Sequence, residues 1–184
     1  MPYEIEVKAS VDNLDIIKEK LSGRGCIWLK QIHQCDRIYS VDWTQINNEM
    51  RERVFLRVRS ENGIDNILTF KCVLDSMEVV EHESTIGQPQ EVIEIIKWLG
   101  FKEYAIVNKR RLVGKLNGYN ICLDDVDELG CFIELERIAD EESLRVSIKN
   151  SLQGMLASLG IDEKQICNER YHVMIHNLRK REVK

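Results

Sequence analysis

Glutamates at positions 4 and 6 and a lysine at position 8 stand two residues apart in Glu4-Ile5-Glu6-Val7-Lys8. Alternate side chains of a β-strand share a face, so these charges would line one face while Tyr3, Ile5, Val7 and Ala9 line the other. The layout recurs at Arg57 and Arg59, at Lys71, at Glu81 and Glu83, at Lys109 and Arg111, and at Glu134 and Glu136. Arginine grips phosphate oxygens through bidentate hydrogen bonds and lysine acts as a point charge. Carboxylates two apart on one strand offer hard oxygen ligands to Mg²⁺ or Mn²⁺, which keeps some water and shares phosphate oxygens. The combined pattern suits a polyphosphate handled with a divalent metal.

These charges need strands to carry them. Strands are expected at 26–40, 53–60, 66–74, 78–86, 101–115, 118–126 and 131–137, besides the first, with turns at Glu61-Asn62-Gly63 and Asn117-Gly118. Asp12 can cap a helix with Leu14, Ile17 and Leu21 on one stripe. Pro89 suits a first helical position, followed by Val92, Ile95, Ile96 and Leu99 at helical spacing. Asp140 can cap a helix reaching Leu159, with Leu144, Ile148, Leu152 and Leu156 in register, and a last helix is expected from about 162 to 178. Residues 41–52 read as a loop anchored by Trp43. Each of the three Glu-x-Glu strands is followed by an amphipathic helix, a weak internal duplication.

Antiparallel strands whose apolar faces are matched by such helices suggest a closed sheet with helices outside and charges inside. Its interior would hold Lys8, Arg57, Arg59, Lys71, Lys109 and Arg111 on the basic side. Glu4, Glu6, Glu81, Glu83, Asp125, Glu134 and Glu136 would form the acidic side. Desolvating so many ions is too costly for a purely structural role, so they must be solvated, paired or bound to a ligand.

With 184 residues the chain is expected to be a single soluble domain, residues 1–184, with strands within about 1–137 and C-terminal helices over about 140–178. Its net charge of −5 argues against nucleic acid or a membrane surface as partner. Cys26, Cys35, Cys72, Cys122, Cys131 and Cys167 are scattered without zinc spacing, which fits reduced thiols in a cytoplasmic protein. No signal peptide or membrane-length apolar run is visible. A P-loop and a dinucleotide fingerprint are both lacking. His172 and His176, one helical turn apart, read as a satisfied surface pair.

The ordered set resembles the CYTH superfamily, the triphosphate tunnel metalloenzymes. Its members include class IV adenylate cyclases and thiamine or inorganic triphosphatases. The matching runs are Glu4-x-Glu6-x-Lys8, Gln34-x-Asp36, Leu56-Arg57-Val58-Arg59, Leu68-Thr69-Phe70-Lys71, Glu81-x-Glu83, Lys109-Arg110-Arg111, and Leu123-Asp124-Asp125 through Leu129-Gly130 to Glu134-x-Glu136. The resemblance implies an α+β fold: an eight-stranded antiparallel β-barrel, the triphosphate tunnel, with helices packed outside. It implies Lys8, Arg57, Arg59, Lys71, Lys109 and Arg111 as triphosphate ligands and Glu4, Glu6, Asp125, Glu134 and Glu136 as holders of Mg²⁺ or Mn²⁺. Glu4, Glu6, Lys8, Lys71 and Glu134 would stand at the catalytic centre, with Asp36, Glu81 and Glu83 lining the tunnel.

The likeness favours the class IV cyclase branch, which converts ATP to cyclic AMP and pyrophosphate. Hydrolysis of an inorganic or organic triphosphate is the alternative, and a non-catalytic triphosphate sensor a third reading. Family members are often dimers, so a homodimer is a further implication. Two positions depart from the pattern: Ile38 replaces an aromatic in Asp36-Arg37-Ile38-Tyr39, and Arg170-Tyr171 replaces a Ser-Tyr pair.

Overall fold

The computed structural model describes residues 3–41, 54–73, 79–139 and 141–182. Among these lie β1 (Tyr3–Val11), β2 (Ile27–Val41), β3 (Val54–Glu61), β4 (Asp65–Val73), β5 (Val79–Thr85), β6 (Phe101–Leu116), β7 (Tyr119–Val126) and β8 (Gly130–Ala139). The helices are α1 (Leu14–Ser22), α2 (Pro89–Trp98), α3 (Arg145–Ser158) and α4 (Tyr171–Glu182). The strands form an antiparallel sheet in the order β1-β8-β7-β6-β2-β3-β4-β5. That order is open: a closed barrel needs β1 to pair with β5, and no such pairing occurs among the described residues. The expected α+β class and eight antiparallel strands are present, as an open sheet. The loop expected at 41–52, with Trp43, falls outside the described residues apart from Val41.

Two compact units divide the chain, residues 1–32 with 109–169 and residues 33–108 with 170–184. In the first, Lys8 faces Glu134 across the β1–β8 register and Cys122 faces Glu134 across β7–β8. One face of these strands is apolar. Ile5, Val7, Ala9, Ile121, Leu123, Ile133 and Leu135 bury there with Ile17 and Leu21 of α1 and Ile148, Leu152 and Leu156 of α3. Each large side chain so buried contributes about 1.5–3 kcal/mol, which holds the opposite, charged face in place. Close packing extends to Gly114, where an added Cβ would stand 2.7 Å from Trp28 Cε3 and 2.9 Å from Cys26 Sγ. Gly114→Ala is therefore expected to lower stability by about 1–3 kcal/mol in urea unfolding; an unchanged midpoint would mean that Trp28 moves aside freely.

Several helix starts differ from expectation. Asn13, not Asp12, caps α1: its backbone is extended and its Oδ1 accepts from the amides of Asp15 (2.8 Å) and Ile16 (3.2 Å). The expected cap Asp140 lies outside the described residues. A 3₁₀ turn at Glu142–Leu144 precedes α3 and leaves Leu144 exposed, outside the buried stripe. The last helix begins at Tyr171 because Asp162 and Gln165 close a single 3₁₀ turn as a capping box. Ile166 then turns extended to bridge Ala9, and the Cys167 amide donates to the Lys8 carbonyl at 2.8 Å.

In the second unit Asn62 and Gly63 both take positive φ in a turn closed by the Ile64 amide on the Glu61 carbonyl at 3.0 Å, and Glu61 pairs with Asp65 across it. Pro89 occupies the expected first turn of α2. The buried stripe is Ile93 and Ile96, against Tyr39 and Val58, while Ile95 and Leu99 are exposed. The register differs from the expected stripe because Ile93 and Ile96 fall on the sheet side of the helix. On α4, the His176 ring stacks on Tyr104 at 4.1 Å, and His172 tilts against Phe55. The histidine pair is thus engaged with aromatic neighbours. No helix among the described residues is long and apolar enough to cross a membrane.

Candidate functional site

In the first unit the charged face comes from four strands. β6 presents Lys109 and Arg111, β7 Asp124, β8 Glu134 and Glu136, and β1 Glu4, Glu6 and Lys8. Arg111 is clamped by Asp124, with Nε to Oδ1 at 2.6 Å and Nη2 to Oδ2 at 2.5 Å, and Nη2 also donates to Glu134 Oε2. Lys109 Nζ lies 3.6 Å from Asp124 Oδ2. Burial works against the Arg111 charge, but Asp124 and Glu134 outweigh it and hold its pKa well above the ordinary value. Lys8, itself buried, donates to the Glu169 carbonyl at 2.6 Å. Asn120 donates to Glu136 at 3.0 Å.

Asp124 was not among the expected ligands, and Asp125 was. Strand alternation explains the correction. Leu123 points into the core, so Asp125 shares its side of β7 and Asp124 shares the side of Glu134. Asp125 instead pairs with the exposed Arg110 at 2.6 Å. The apolar Leu123 was the signal in the sequence that separates the two aspartates.

Glu6 carries the site's clearest electrostatic stress. Its side chain reaches solvent, yet crowding desolvates it, and with repulsion from Glu134 and Glu4 this pushes its pKa up to about 7 despite Lys8 and Arg111. The local crowding sets the direction, while the open side of the residue screens its magnitude. A raised carboxylate stabilises the folded chain fully below its unfolded pKa near 4.5, and that contribution is lost as pH rises through about 7. In EDTA, Glu6→Gln is expected to gain about 1 kcal/mol on the parent between pH 5 and pH 8, after allowance for screening. Urea midpoints at both pH values measure this, and a gain confined to pH 5 would contradict it.

In the second unit β3, β4 and β5 carry a row of ion pairs. Arg59 is held by Asp36 (2.6 and 2.7 Å), Arg57 by Glu83 (3.0 Å) and Thr69 (3.0 Å), and Lys71 by Glu81 (2.8 Å). Thr69 Oγ1 also donates to Glu83 at 2.8 Å. Burial and the neighbouring Arg59 lower the Arg57 pKa. Burial alone would raise Glu83, but its bonds to Thr69 and Arg57 bring it below the usual carboxylate value. Thr69, fully buried, was overlooked as a site residue, although it sits two residues from Lys71 in the same strand.

Glu6 and Glu134 are hard oxygen donors held close enough to repel, a stress that a cation would relieve. No cluster of three or more His, Cys, Asp or Glu side chains arranged for a metal occurs among the described residues. Cys122, opposite Glu134, is raised to about 11 by burial and is a neutral thiol, not a thiolate ligand.

Strand-borne cations paired with carboxylates thus lie on an antiparallel sheet backed by helices. The chain belongs to the CYTH domain family, whose model matches residues 2–169. It is similar to a Methanocaldococcus jannaschii protein provisionally named an adenylate cyclase, with 29% identity over 91% of this chain and 95% of the relative. A solved Pyrococcus horikoshii protein is 30% identical, with a TM-score of 0.77 over 92% of this chain and 98% of its own. A Hippeastrum protein, provisionally named an adenylyl cyclase and described by a dominant triphosphatase activity, shares the fold at a TM-score of 0.64 and 18% identity. Coverage there is 95% of both chains.

Proposed function

We infer that this chain is a metal-dependent enzyme acting on a triphosphate, and that its reaction is the conversion of ATP to cyclic AMP and pyrophosphate. The observation that carries the reading is the set of cations Lys8, Lys109 and Arg111 in one unit and Arg57, Arg59 and Lys71 in the other, each engaged with carboxylate or carbonyl oxygens. A triphosphate offers the same oxygen acceptors and can replace them. Arg57, Arg59 and Arg111 would bind phosphate oxygens bidentately, and Lys8, Lys71 and Lys109 would add point charges.

Glu6 and Glu134, with water and phosphate oxygens completing the shell, would hold Mg²⁺ or Mn²⁺ beside Glu4 and Glu136 on the same strands, with Glu81, Glu83 and Asp36 returning the cations to their resting pairs. The metal, when bound, supplies charge neutralisation at the phosphates. In the cyclase reading the ribose 3′-oxygen attacks the α-phosphorus as pyrophosphate leaves, and the arginines and lysines stabilise charge developing on the leaving oxygens. A cytoplasmic location and a homodimer belong to the same reading. Nucleic acid and membrane surfaces do not, given the net charge of −5.

The name of the Methanocaldococcus jannaschii relative supports cyclisation; the description of the Hippeastrum neighbour favours hydrolysis at the terminal phosphorus, which the same residues would serve. Product analysis separates them. Purified protein is incubated with ATP, and separately with tripolyphosphate, in Mg²⁺ and in Mn²⁺, and resolved by anion exchange. Cyclic AMP with pyrophosphate is the expected result; orthophosphate without cyclic AMP makes the chain a triphosphatase, and no product from either substrate sinks both.

A further inference from the structure

The row of ion pairs in the second unit has a direction. Along β2 and β3 the register sets Gln34 opposite Glu61, then Asp36 opposite Arg59, then Ile38 opposite Arg57. On β4 and β5, Thr69 and Glu83 stand level with Arg57, and Lys71 and Glu81 lie one step beyond. The row ends at the Lys71–Glu81 ion pair on one side and at the uncharged Gln34, beside Glu61, on the other. Gln34 and Arg57 stand about 13 Å apart, the distance from Gln34 to the Arg57 partner Ile38 along β2 at about 3.3 Å per residue.

Two buried polar atoms in this row find no hydrogen-bond partner among the described residues: Gln34 Oε1 and Arg57 Nε. They are complementary orphans, an acceptor on Gln34 at one end of the row and a donor on Arg57 within it. Gln34 is 2% exposed. Its Nε2 donates to Glu61 Oε1 at 2.6 Å, which fixes the amide with its oxygen turned away from that carboxylate. A buried acceptor left unpaired is costly in a folded protein and marks either a bound water or a ligand.

The chemistry of the ligand follows from the atom. A triphosphate chain near neutral pH presents acceptors, so it can satisfy Arg57 Nε and cannot satisfy Gln34 Oε1. Only a part of the substrate bearing an O–H or N–H donor can do that. We propose that Gln34 is a specificity-determining residue whose amide oxygen accepts a hydrogen bond from the nucleoside part of the substrate, a sugar hydroxyl or a base amine. Gln34 thereby discriminates nucleoside triphosphates from inorganic tripolyphosphate. The inference rests on the triphosphate reading above. Asp36, two residues from Gln34 on the same face of β2, is bound to Arg59, so a phosphate that takes Arg59 from Asp36 would act beside the Gln34 oxygen.

The test is binding by calorimetry in EDTA, where metal-dependent turnover is off, on the parent and on Gln34→Met. Probes are ATP, 2′-deoxy-ATP, 3′-deoxy-ATP, inosine triphosphate and tripolyphosphate. Gln34→Met is expected to weaken ATP at least about tenfold and to leave tripolyphosphate within about twofold. On the parent, one analogue should lose the same factor, and on the variant it should lose nothing further. Which analogue does so tells a 2′-hydroxyl, a 3′-hydroxyl and a base amine apart. An ATP-to-tripolyphosphate affinity ratio unchanged by the substitution overturns the proposal and assigns the oxygen to a water. Should Gln34→Met fail to fold, the parent decides alone: analogues that all bind as ATP does overturn the role of Gln34. A parent that binds neither ATP nor tripolyphosphate, in EDTA or with Mg²⁺ or Mn²⁺ restored, overturns the triphosphate reading itself.

Discussion

Glu134→Ala abolishes metal-dependent turnover, with kcat/KM expected to fall by at least about a thousandfold. Glu134 stands where three demands meet. Its carboxylate accepts from Arg111, it faces Lys8 across the β1–β8 register, and its charge helps raise the pKa of the neighbouring Glu6. Removing it takes away a hard oxygen donor and leaves Arg111 held by Asp124 alone among these carboxylates, so both halves of the proposed site are disturbed at once. Steady-state rates with ATP and with tripolyphosphate measure the loss. Glu134→Gln keeps the volume and should lose nearly as much, because an amide is a poor ligand for a hard cation in place of a carboxylate. Full activity in either variant would place the chemistry elsewhere.

Asp124→Ala is expected to destabilise the protein by about 3–5 kcal/mol, the usual cost of leaving buried cations without their counter-charge. Asp124 is fully buried and holds both oxygens on Arg111 while facing Lys109. The adjacent Asp125 provides the internal control. Its pair with Arg110 is open to solvent, so Asp125→Ala should cost less than about 1 kcal/mol. Urea unfolding of the two variants side by side checks the contrast, and equal losses would mean that the two faces of β7 have been exchanged.

That contrast marks what the sequence could and could not deliver. Alternation made the charged faces of β1, β3, β6 and β8 legible, since one strand with Glu4, Glu6 and Lys8 on one side and Ile5 and Val7 on the other allows a single reading. It failed at Asp124-Asp125, where two identical residues follow one another and only the burial of Leu123 fixes the phase. Helix starts failed for a related reason. Asp12 and Asn13 are both able caps, and backbone geometry chooses between them. Beyond Asp162 the helix expected from about 162 to 178 is cut short by a local capping box, and the extended stretch at Ile166 that follows is held by Ala9, far away in sequence. Gln34 and Thr69 carry no charge, and their importance lies in burial beside charged neighbours, which no spacing rule reports.

The most direct measurement is calorimetric titration of the purified protein with tripolyphosphate in the presence of Mg²⁺. Saturable binding that weakens steeply with added salt is the predicted result, because cations on several strands would share one polyanion. The absence of binding in both Mg²⁺ and Mn²⁺, with a protein that unfolds cooperatively, would contradict the assignment of these charged strands to a triphosphate.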